Sequence, residues 1–205
     1  MKITEISPYK GTTWQITTES GGKIFIGQKT VEKFNLKKGM ELPESAVDSI
    51  REEDLERKSR ERAMYLLSGR DYGFVELFHK LEKNYPKDMC LRTCKLMAEK
   101  GLVDDRKYAF RLGRQLFEIR KESAVAVRYK LTQKGIPKDI INEVIDEYCE
   151  DDEAVKNRII ELIEKKYKKK LTDEDGIRKV KNSLARLGYG YSDINSAIEY
   201  LMRNA

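Results

Sequence analysis

The stretch Lys100-Gly101-Leu102-Val103-Asp104-Asp105 decides how this chain folds. One amphipathic pattern ends at Lys100-Gly101, and another begins at Asp104-Asp105 with almost no loop between them. Glycine just past the last periodic residue is typical of a helix C-terminus, because glycine reaches the left-handed conformation without steric cost. Aspartate just before a new apolar period is typical of a helix N-terminus, where a carboxylate is stabilised. The stretch therefore predicts a tight joint between two helices, and its two carboxylates are interpreted as structural caps and not as a catalytic or metal pair.

Similar joints recur along the chain with a period of about 50 residues. In each segment a helical pattern ends in a related phrase, and a short linker and a further helix with an early aspartate follow. The phrases are Lys80-Leu81-Glu82-Lys83, Lys130 to Gly135 and Ser183 to Gly188, and the aspartates are Asp88, Asp139 and Asp193. Such a period is typical of tandem units that bury their faces against their neighbours. Coincidence among ordinary amphipathic helices is the alternative, and the agreement of phase, caps and helix count favours the repeat.

We predict a mainly α fold in which three tandem three-helix repeats form an elongated curved solenoid, preceded by a small N-terminal β-rich domain. The predicted boundaries are 1–57 for the β-rich domain with the start of a connecting helix, and 58–103, 104–150 and 151–205 for the repeats.

Short β-branched runs predict strands near the N-terminus, at Lys2–Ile6, Thr13–Thr18 and Lys23–Gly27. Glycines in the Glu19–Gly22 turn predict a hairpin, and Leu36–Leu42 is interpreted as a further turn and short strand. A helix is expected from about Pro43 to Leu67. Its middle, 51–62, is nearly all charged, which predicts a solvated helix with ion pairs four residues apart.

The chain has 205 residues and a net charge of +6, and this charge is unevenly distributed. Residues 1–57 carry a net charge of −1, and residues 58–205 carry +7. A basic helical part suggests a polyanionic partner, nucleic acid first, although a surface rich in helix-stabilising ion pairs is an equally weighted alternative. No apolar run approaches the roughly 18 residues of a membrane span, and no signal-peptide core is present. With an odd count of three cysteines, these features predict a cytoplasmic protein with no membrane association and no disulfide framework.

Residues with catalytic or metal-binding potential are few. The one histidine, His79, lies beside an apolar helical face and is interpreted as a surface residue. Cys90 and Cys94 are one helical turn apart, but no histidine or further cysteine completes a zinc set, so they are interpreted as small buried residues. No phosphate-binding glycine loop occurs. We therefore predict no enzymatic activity, no catalytic residue, no metal and no cofactor.

Basic and aromatic side chains alternate along one side of the helix predicted at 105–121, a pattern that a single-stranded nucleic-acid platform would need. They are Arg106, Phe110, Arg114, Phe117 and Lys121. The alternative, which we favour for the two phenylalanines, is that these rings are buried against the adjacent repeat. A second basic cluster, Lys165–Lys170, is interpreted mainly as a solvated helix end. The candidate contact residues for a polyanion or a partner protein are Arg106, Arg111, Arg114, Arg120, Lys121, Arg128, Lys130 and Lys134.

These phrases resemble the RecX family of bacterial recombination regulators. The most recognisable match is Gly101-Leu102-Val103-Asp104-Asp105 with Tyr108-Ala109. Weaker matches lie in each repeat, and together they cover about 58–203: Ala63, Leu66-Leu67, Arg70, Glu76-Leu77 and Lys80-Leu81; Lys130-Leu131, Lys134 to Ile136 and Ile140-Ile141; Leu184, Leu187 to Tyr189 and Ile194. One departure is Gly73, where the family usually has serine. The N-terminal strands resemble the extra small domain of some members.

The resemblance implies a non-enzymatic protein that binds the RecA recombinase and its filament on single-stranded DNA. It would inhibit strand exchange and ATP hydrolysis and limit filament growth, in recombination, DNA repair and the SOS response. A monomer is expected, and single-stranded DNA would be contacted directly or through RecA. Two alternatives stay open. One is a direct DNA-binding protein that uses helix-turn-helix-like units, and the other is a generic helical scaffold for a protein partner.

Overall fold

A computed structural model describes residues 1–148, 151–171 and 173–204 of the chain. Two compact units divide it: the first comprises residues 1–70 and 77–102, and the second comprises residues 71–76 and the chain from Val103 onward. Cys149 and the predicted boundary at residue 150 lie outside the described residues. The predicted boundaries of the three repeats stay a prediction.

The N-terminal sheet is antiparallel with the strand order β1-β2-β3, formed by Ile3–Lys10, Thr13–Thr18 and Lys23–Gly27. Three predicted strands are therefore confirmed. The short strand expected within Leu36–Leu42 does not form. This segment makes one isolated bridge, between Glu41 and Lys2, and exchanges backbone hydrogen bonds with Ile3 through Gly39 and Met40. One face of the sheet packs on helix α1 (Gln28–Lys33) and on the start of α2, in a core formed by Ile3, Ile16, Ile26, Val31, Leu36 and Ile50.

Helix α2 (Glu44–Gly69) is the long helix of the first unit, and its charged middle is more buried than the sequence predicts. The expected ion pairs are present, for example Lys58 with Asp54 at 2.7 Å. Asp54, however, is buried and accepts hydrogen bonds from Gly27 N (2.9 Å) and Thr30 Oγ1 (2.8 Å). The expectation of a solvated helix was wrong at Asp54, because this carboxylate binds the last residue of β3 and a residue of α1.

The pKa of Asp54 reflects that environment. Burial raises it, but hydrogen bonds from Lys58, Arg57, Gly27 N and Thr30 lower the pKa below its usual value. The carboxylate is therefore ionised at neutral pH and holds its four donors.

Six further α-helices follow α2, α3 (Phe74–Leu81) and α4 (Lys87–Glu99) among the described residues, and one short 3₁₀ helix precedes the fifth of these six. Helix α5 (Asp105–Arg114) continues as a π-helical segment (Gln115–Ile119), and α8 (Asp152–Leu162) continues likewise (Ile163–Tyr167). The remaining bounds are α6 Ala124–Gln133, α7 Lys138–Tyr148, a 3₁₀ turn Lys168–Lys170, α9 Glu174–Arg186 and α10 Tyr191–Arg203. The predicted three-helix repeats are therefore α2–α4, α5–α7 and α8–α10, counting the π-helical segments as part of α5 and α8.

The helix ends confirm the predicted caps. Gly101 has a φ of +68°, and the N–H groups of Gly101 and Leu102 donate to the carbonyls of Ala98 (2.8 Å) and Met97 (2.9 Å). This pair of backbone hydrogen bonds is the Schellman motif, in which the residue after the helix adopts the left-handed conformation. Two more helices, α6 and α9, end with the same pattern at Gly135 and Gly188. At the start of α5, Asp104 caps the helix by accepting from Lys107 N at 2.9 Å.

Candidate interaction surface

Asp105, the second carboxylate of the deciding stretch, caps a different helix from the one that it begins. Its Oδ1 accepts a hydrogen bond from Phe74 N, the first residue of α3, at 2.7 Å. Gly73 precedes α3 and has no side chain with which to cap it. A Cβ at position 73 would lie 3.1 Å from Asp105 Oδ1 and 3.3 Å from Tyr108 Cδ1. The glycine that departs from the family pattern therefore admits a capping carboxylate from another helix.

Residues 71–76 pack within the second unit against residues 105–136, and we call these contacts the first joint. Gly135 has a φ of +73°, and a Cβ there would lie 2.5 Å from Val75 Cβ. Glu76 accepts from Lys134 Nζ at 2.7 Å and from Tyr108 Oη at 3.1 Å. Arg111 and Asp71 form an ion pair at 2.5 Å. The first joint therefore combines a close glycine contact with carboxylate acceptors.

Residues 121–126 pack in a similar way against residues 187–189, and we call these contacts the second joint. Gly188 has a φ of +88°, and a Cβ there would lie 2.5 Å from Ser123 Oγ and 2.7 Å from Ala126 Cβ. Ser123 caps α6, donates its backbone N–H to the Leu187 carbonyl at 2.9 Å, and donates its hydroxyl to the Gly188 carbonyl at 2.7 Å. Tyr189 Oη donates to the Lys121 carbonyl at 2.8 Å. Burial raises the pKa of Tyr189, so its hydroxyl stays protonated as the donor.

Most of the eight predicted contact residues are engaged in ion pairs. Arg106 pairs with Glu143, and Arg114 pairs with Glu118 at 2.8 Å. The other pairs are Arg111 with Asp71, Lys134 with Glu76, and Lys130 and Arg120 with Glu122 at 2.6 and 4.0 Å. An acidic neighbour cancels much of the field that each of these cations would present to a phosphate.

Two of the eight candidates, Arg128 and Lys121, form no ion pair among the described residues, although Lys121 interacts electrostatically with Glu161. Arg128 is exposed on α6 and donates to the neutral amide oxygen of Asn142 at 2.7 Å. Lys121 adopts a φ of +55° between the π-helical segment and α6, where its backbone carbonyl is held by Tyr189. Arg128 therefore keeps its net charge and is the better candidate for a polyanionic or acidic partner, and Lys121, which is not held in an ion pair, is the second candidate.

The aromatic platform expected on the helix at 105–121 does not form. Phe117 is buried and stacks on Tyr148, with ring centroids 5.1 Å apart and an interplanar angle of 17°. Phe110 is half-buried against the same core, with the Arg106 guanidinium 5.3 Å from its ring centroid. The rings are buried or half-buried as expected, but against the core of their own repeat and not against the adjacent repeat, so the predicted packing partner was wrong.

Sequence reasoning missed an exposed face on α6, which we call the α6 stripe: Val125, Arg128, Tyr129, Thr132 and Gln133. Val125 is 72% exposed and Tyr129 is 62% exposed. Gln133 Nε2 donates to Tyr129 Oη at 2.6 Å, which positions the ring. The sequence of α6 could have indicated this face, because apolar residues lie on two opposite sides of the helix and only one side can face the core. Val127 and Leu131 are fully buried, so Val125 and Tyr129 lie on the opposite side of a 3.6-residue helix.

The second basic cluster remains a helix end in the structure. Lys165 pairs with Glu161, and the Lys170 ammonium lies 5.8 Å from the Tyr167 ring centroid. The lysines of this cluster are exposed, as the interpretation of a solvated end requires.

Side chains that could bind a metal or act in catalysis are scattered in the part of the chain that the structure describes. Its residues contain no cluster of three or more histidine, cysteine or acidic side chains that could hold a metal ion. Cys90 and Cys94 are buried as predicted, and burial raises the pKa of Cys94 to about 12. His79 is exposed on α3 next to Glu82. Within the same described residues, the helices are too short or too polar to cross a bilayer.

This chain is similar both to a protein-family model and to individual known proteins. Residues 104–145 match the family model described as RecX, second three-helix domain. The chain is 27% identical over 202 residues to the regulatory protein RecX of Streptococcus sanguinis strain SK36, covering 98% of this chain and 77% of that protein. It is 26% identical over 204 residues to the regulatory protein RecX of Clostridioides difficile strain 630, covering 98% and 95%.

Solved structures show the same fold. A crystal structure of a regulatory protein RecX matches with a TM-score of 0.65 at 21% identity, covering 97% of this chain and 98% of that chain. The crystal structure of RecX from Lactobacillus salivarius matches with a TM-score of 0.58 at 22% identity, covering 72% and 97%.

Proposed function

Because the chain belongs to the RecX family, we propose that it is a non-enzymatic cytoplasmic regulator that binds the RecA recombinase and its filament on single-stranded DNA. As a monomer it lowers ATP hydrolysis and strand exchange by RecA and limits filament growth, and so acts in recombination and DNA repair. The observation that carries this proposal is the similarity to regulatory proteins named RecX, which extends over 98% of the chain.

The α6 stripe is the surface that we assign to RecA. Exposed aromatic and apolar side chains beside an arginine are typical of the residues that contribute most to protein–protein binding. Tyr129 and Val125 supply apolar area, and Arg128 supplies a cation without an acidic neighbour. Lys121 lies just before α6 and adds a second cation that is not held in an ion pair.

The six ion-paired candidates have a secondary role in this proposal: Arg106, Arg111, Arg114, Arg120, Lys130 and Lys134. An incoming phosphate or carboxylate has to compete with the acidic partner that each already has. Because exposed ion pairs are worth at most about 1 kcal/mol, such exchange is inexpensive for Arg106, Arg111 and Arg114, which can add to an interface without creating it. Arg120, Lys130 and Lys134 are held more firmly, because their partners Glu122 and Glu76 are buried or partly buried.

The proposal is tested by RecA ATPase activity on single-stranded DNA, measured with and without this protein. We expect lower ATP turnover with the wild-type chain, and an Arg128→Glu/Tyr129→Ala variant should restore most of it. The matched control is Tyr200→Ala/Arg203→Glu, which removes an exposed tyrosine and arginine from α10 and should inhibit like the wild type. Unchanged ATP turnover at stoichiometric amounts of wild-type protein would reject the proposal.

The alternative of a direct duplex-binding protein makes a different prediction. It requires binding to duplex DNA in the absence of RecA, with affinity that falls steeply as salt rises. The ion pairing of Arg106, Arg114 and Lys134 disfavours it, since those cations are partly neutralised.

A further inference from the structure

The outer face of the N-terminal sheet carries two exposed aromatic rings. Tyr9 at the end of β1 is 62% exposed, and Phe25 on β3 is 44% exposed. Their ring centroids lie 4.8 Å apart with an interplanar angle of 53°. The rings are therefore neighbours that do not stack flat on each other, and each keeps part of its surface open. The apolar core lies on the other face of the sheet, so core packing does not explain these rings.

Strand register shows which side chains accompany the rings. Gln15 on β2 faces Phe25 on β3 and Ser7 on β1, and Thr17 faces Lys23 and Glu5 in the same way. Because successive side chains point to opposite faces, residues two apart on a strand share a face. Lys10 faces Thr13 after an irregularity in β1, which places it on this face as well. The outer face therefore consists of Glu5, Ser7, Tyr9, Lys10, Thr13, Gln15, Thr17, Lys23 and Phe25.

Two lysines flank the rings. Lys10 and Lys23 are exposed and form no ion pair with any acidic group in the described part of the chain. Their partners on β2, Thr13 and Thr17, are four residues apart, which corresponds to about 13 Å along the strand. Residues 1–42 contain seven lysines and four glutamates. This small region is therefore basic, although residues 1–57 as a whole are not.

From these observations we propose that the outer face of the sheet binds single-stranded nucleic acid. Bases stack on Tyr9 and Phe25, and the Lys10 and Lys23 ammonium groups contact phosphates on either side. Sequence-tolerant single-strand sites combine these two elements, aromatic rings for bases and cations for the backbone. Unpaired bases are required, because the bases of a duplex are stacked on one another and closed to an exposed ring. The proposal does not depend on RecA.

Equilibrium binding to a fluorescein-labelled oligothymidylate of about 16 nucleotides tests this proposal with the full chain alone. A Tyr9→Ala/Phe25→Ala variant should bind at least about tenfold more weakly, since each stacked base contributes about fivefold or more and two rings are lost. Tyr9→Phe keeps the ring and should bind like the wild type. The control Tyr191→Ala, which removes a ring that is 58% exposed on α10, should also leave affinity unchanged. Wild-type affinity in the double variant, with unchanged circular dichroism, would overturn the proposal.

An abasic oligomer of the same length separates stacking from charge. The wild-type chain should bind it at least about tenfold more weakly than oligothymidylate, and the double variant should no longer distinguish the two. Equal binding of both oligomers by the wild type would show that only phosphates are contacted and would overturn the stacking role.

Glu5, the one acidic residue of this face, provides a test in the opposite direction. Removing a like charge near the phosphate path by Glu5→Gln should strengthen binding a few-fold at low salt, an effect that screening reduces as salt rises.

A protein partner is the remaining outcome: if the double variant loses affinity for RecA without DNA but binds both oligomers like the wild type, the face docks protein and the proposal is wrong. Neither oligomer assay contains RecA, so their results are independent of the proposed regulation of RecA.

Discussion

The two joints of the second unit use one geometry with different chemistry. In each, the chain at the start of a second helix meets a left-handed glycine, Gly135 in the first joint and Gly188 in the second, so closely that no Cβ fits. In the first joint the hydrogen-bond acceptors are side-chain carboxylates; Glu76, for example, accepts from Lys134. In the second joint the acceptors are backbone carbonyls: Ser123 donates its hydroxyl to the Gly188 carbonyl, and Tyr189 donates to the Lys121 carbonyl.

The comparison shows that the close glycine contact is common to both joints, whereas the hydrogen-bond acceptors around it differ. A backbone approach below van der Waals distance demands glycine, so both joints have one. The surrounding hydrogen bonds can be donated to a carboxylate or to a carbonyl, because either acceptor satisfies a buried donor. We therefore expect the joints to respond alike to loss of glycine and differently to salt and pH.

The largest effect is expected from alanine at the joint glycines. Gly135→Ala and Gly188→Ala should each lower the free energy of unfolding by about 2–4 kcal/mol, since a Cβ meets side-chain atoms and the φ is positive. Gly101→Ala is the matched control. Its φ is also positive, but nothing lies within 4 Å of its Cβ position, so about 1 kcal/mol is expected. Urea unfolding followed by circular dichroism measures all three, and equal losses would mean that close contact is not what the joints require.

A smaller effect is expected from the helix caps that the joints contain. Ser123→Ala removes the cap of α6 and the bond to Gly188, and Asp105→Ala removes the carboxylate that caps α3. Each should cost about 1–2 kcal/mol in the same assay. Asp105→Asn keeps an acceptor oxygen and should lose less than Asp105→Ala. If the asparagine and alanine variants are equally unstable, the carboxylate acts through charge alone.

Salt should separate the two joints. Glu76→Gln replaces the partly buried carboxylate that binds Lys134, and we expect a loss of about 1 kcal/mol or less, discounted because Lys134 is more than one-third exposed. That loss should shrink as salt rises from 0.05 to about 1 M, because ions screen the pair. The Ser123→Ala loss should not change with salt. A salt-independent loss in Glu76→Gln would indicate that shape and hydrogen bonding outweigh charge in the first joint.

The smallest effect is expected at Tyr189. Tyr189→Phe removes one hydrogen bond from the second joint and should cost about 0.5–1.5 kcal/mol at neutral pH. Since burial raises the pKa of Tyr189 above 10.0, the unfolded chain releases this proton first as pH rises. The free energy of unfolding of the wild type should therefore fall as pH rises above about 10, with a steeper slope than in Tyr189→Phe. Identical slopes would show that the hydroxyl ionises as freely in the folded chain as in the unfolded one.

Much of the fold followed from local signals. Gly101, Gly135 and Gly188 end helices, and Asp104 begins one, through contacts that span three to five residues of chain. Such contacts depend only on neighbouring residues, so a sequence pattern predicts them. The candidate surface was less predictable, because the charge that a lysine or arginine presents depends on neighbours far along the chain. Lys134 and Glu76 are 58 residues apart, and no pattern indicates that they meet.

The sequence by itself determined the three-helix repeats, the three strands and the joint at Lys100–Asp105, because helix caps and side-chain periodicity are properties of short segments. Only the tertiary structure decided that Phe117 is buried while Tyr129 is exposed, that Asp105 caps α3, and that Tyr9 lies beside Phe25. The physical reason is that burial, ion pairing and ring contacts are set by distances between segments, and those distances exist only after the helices and strands have packed.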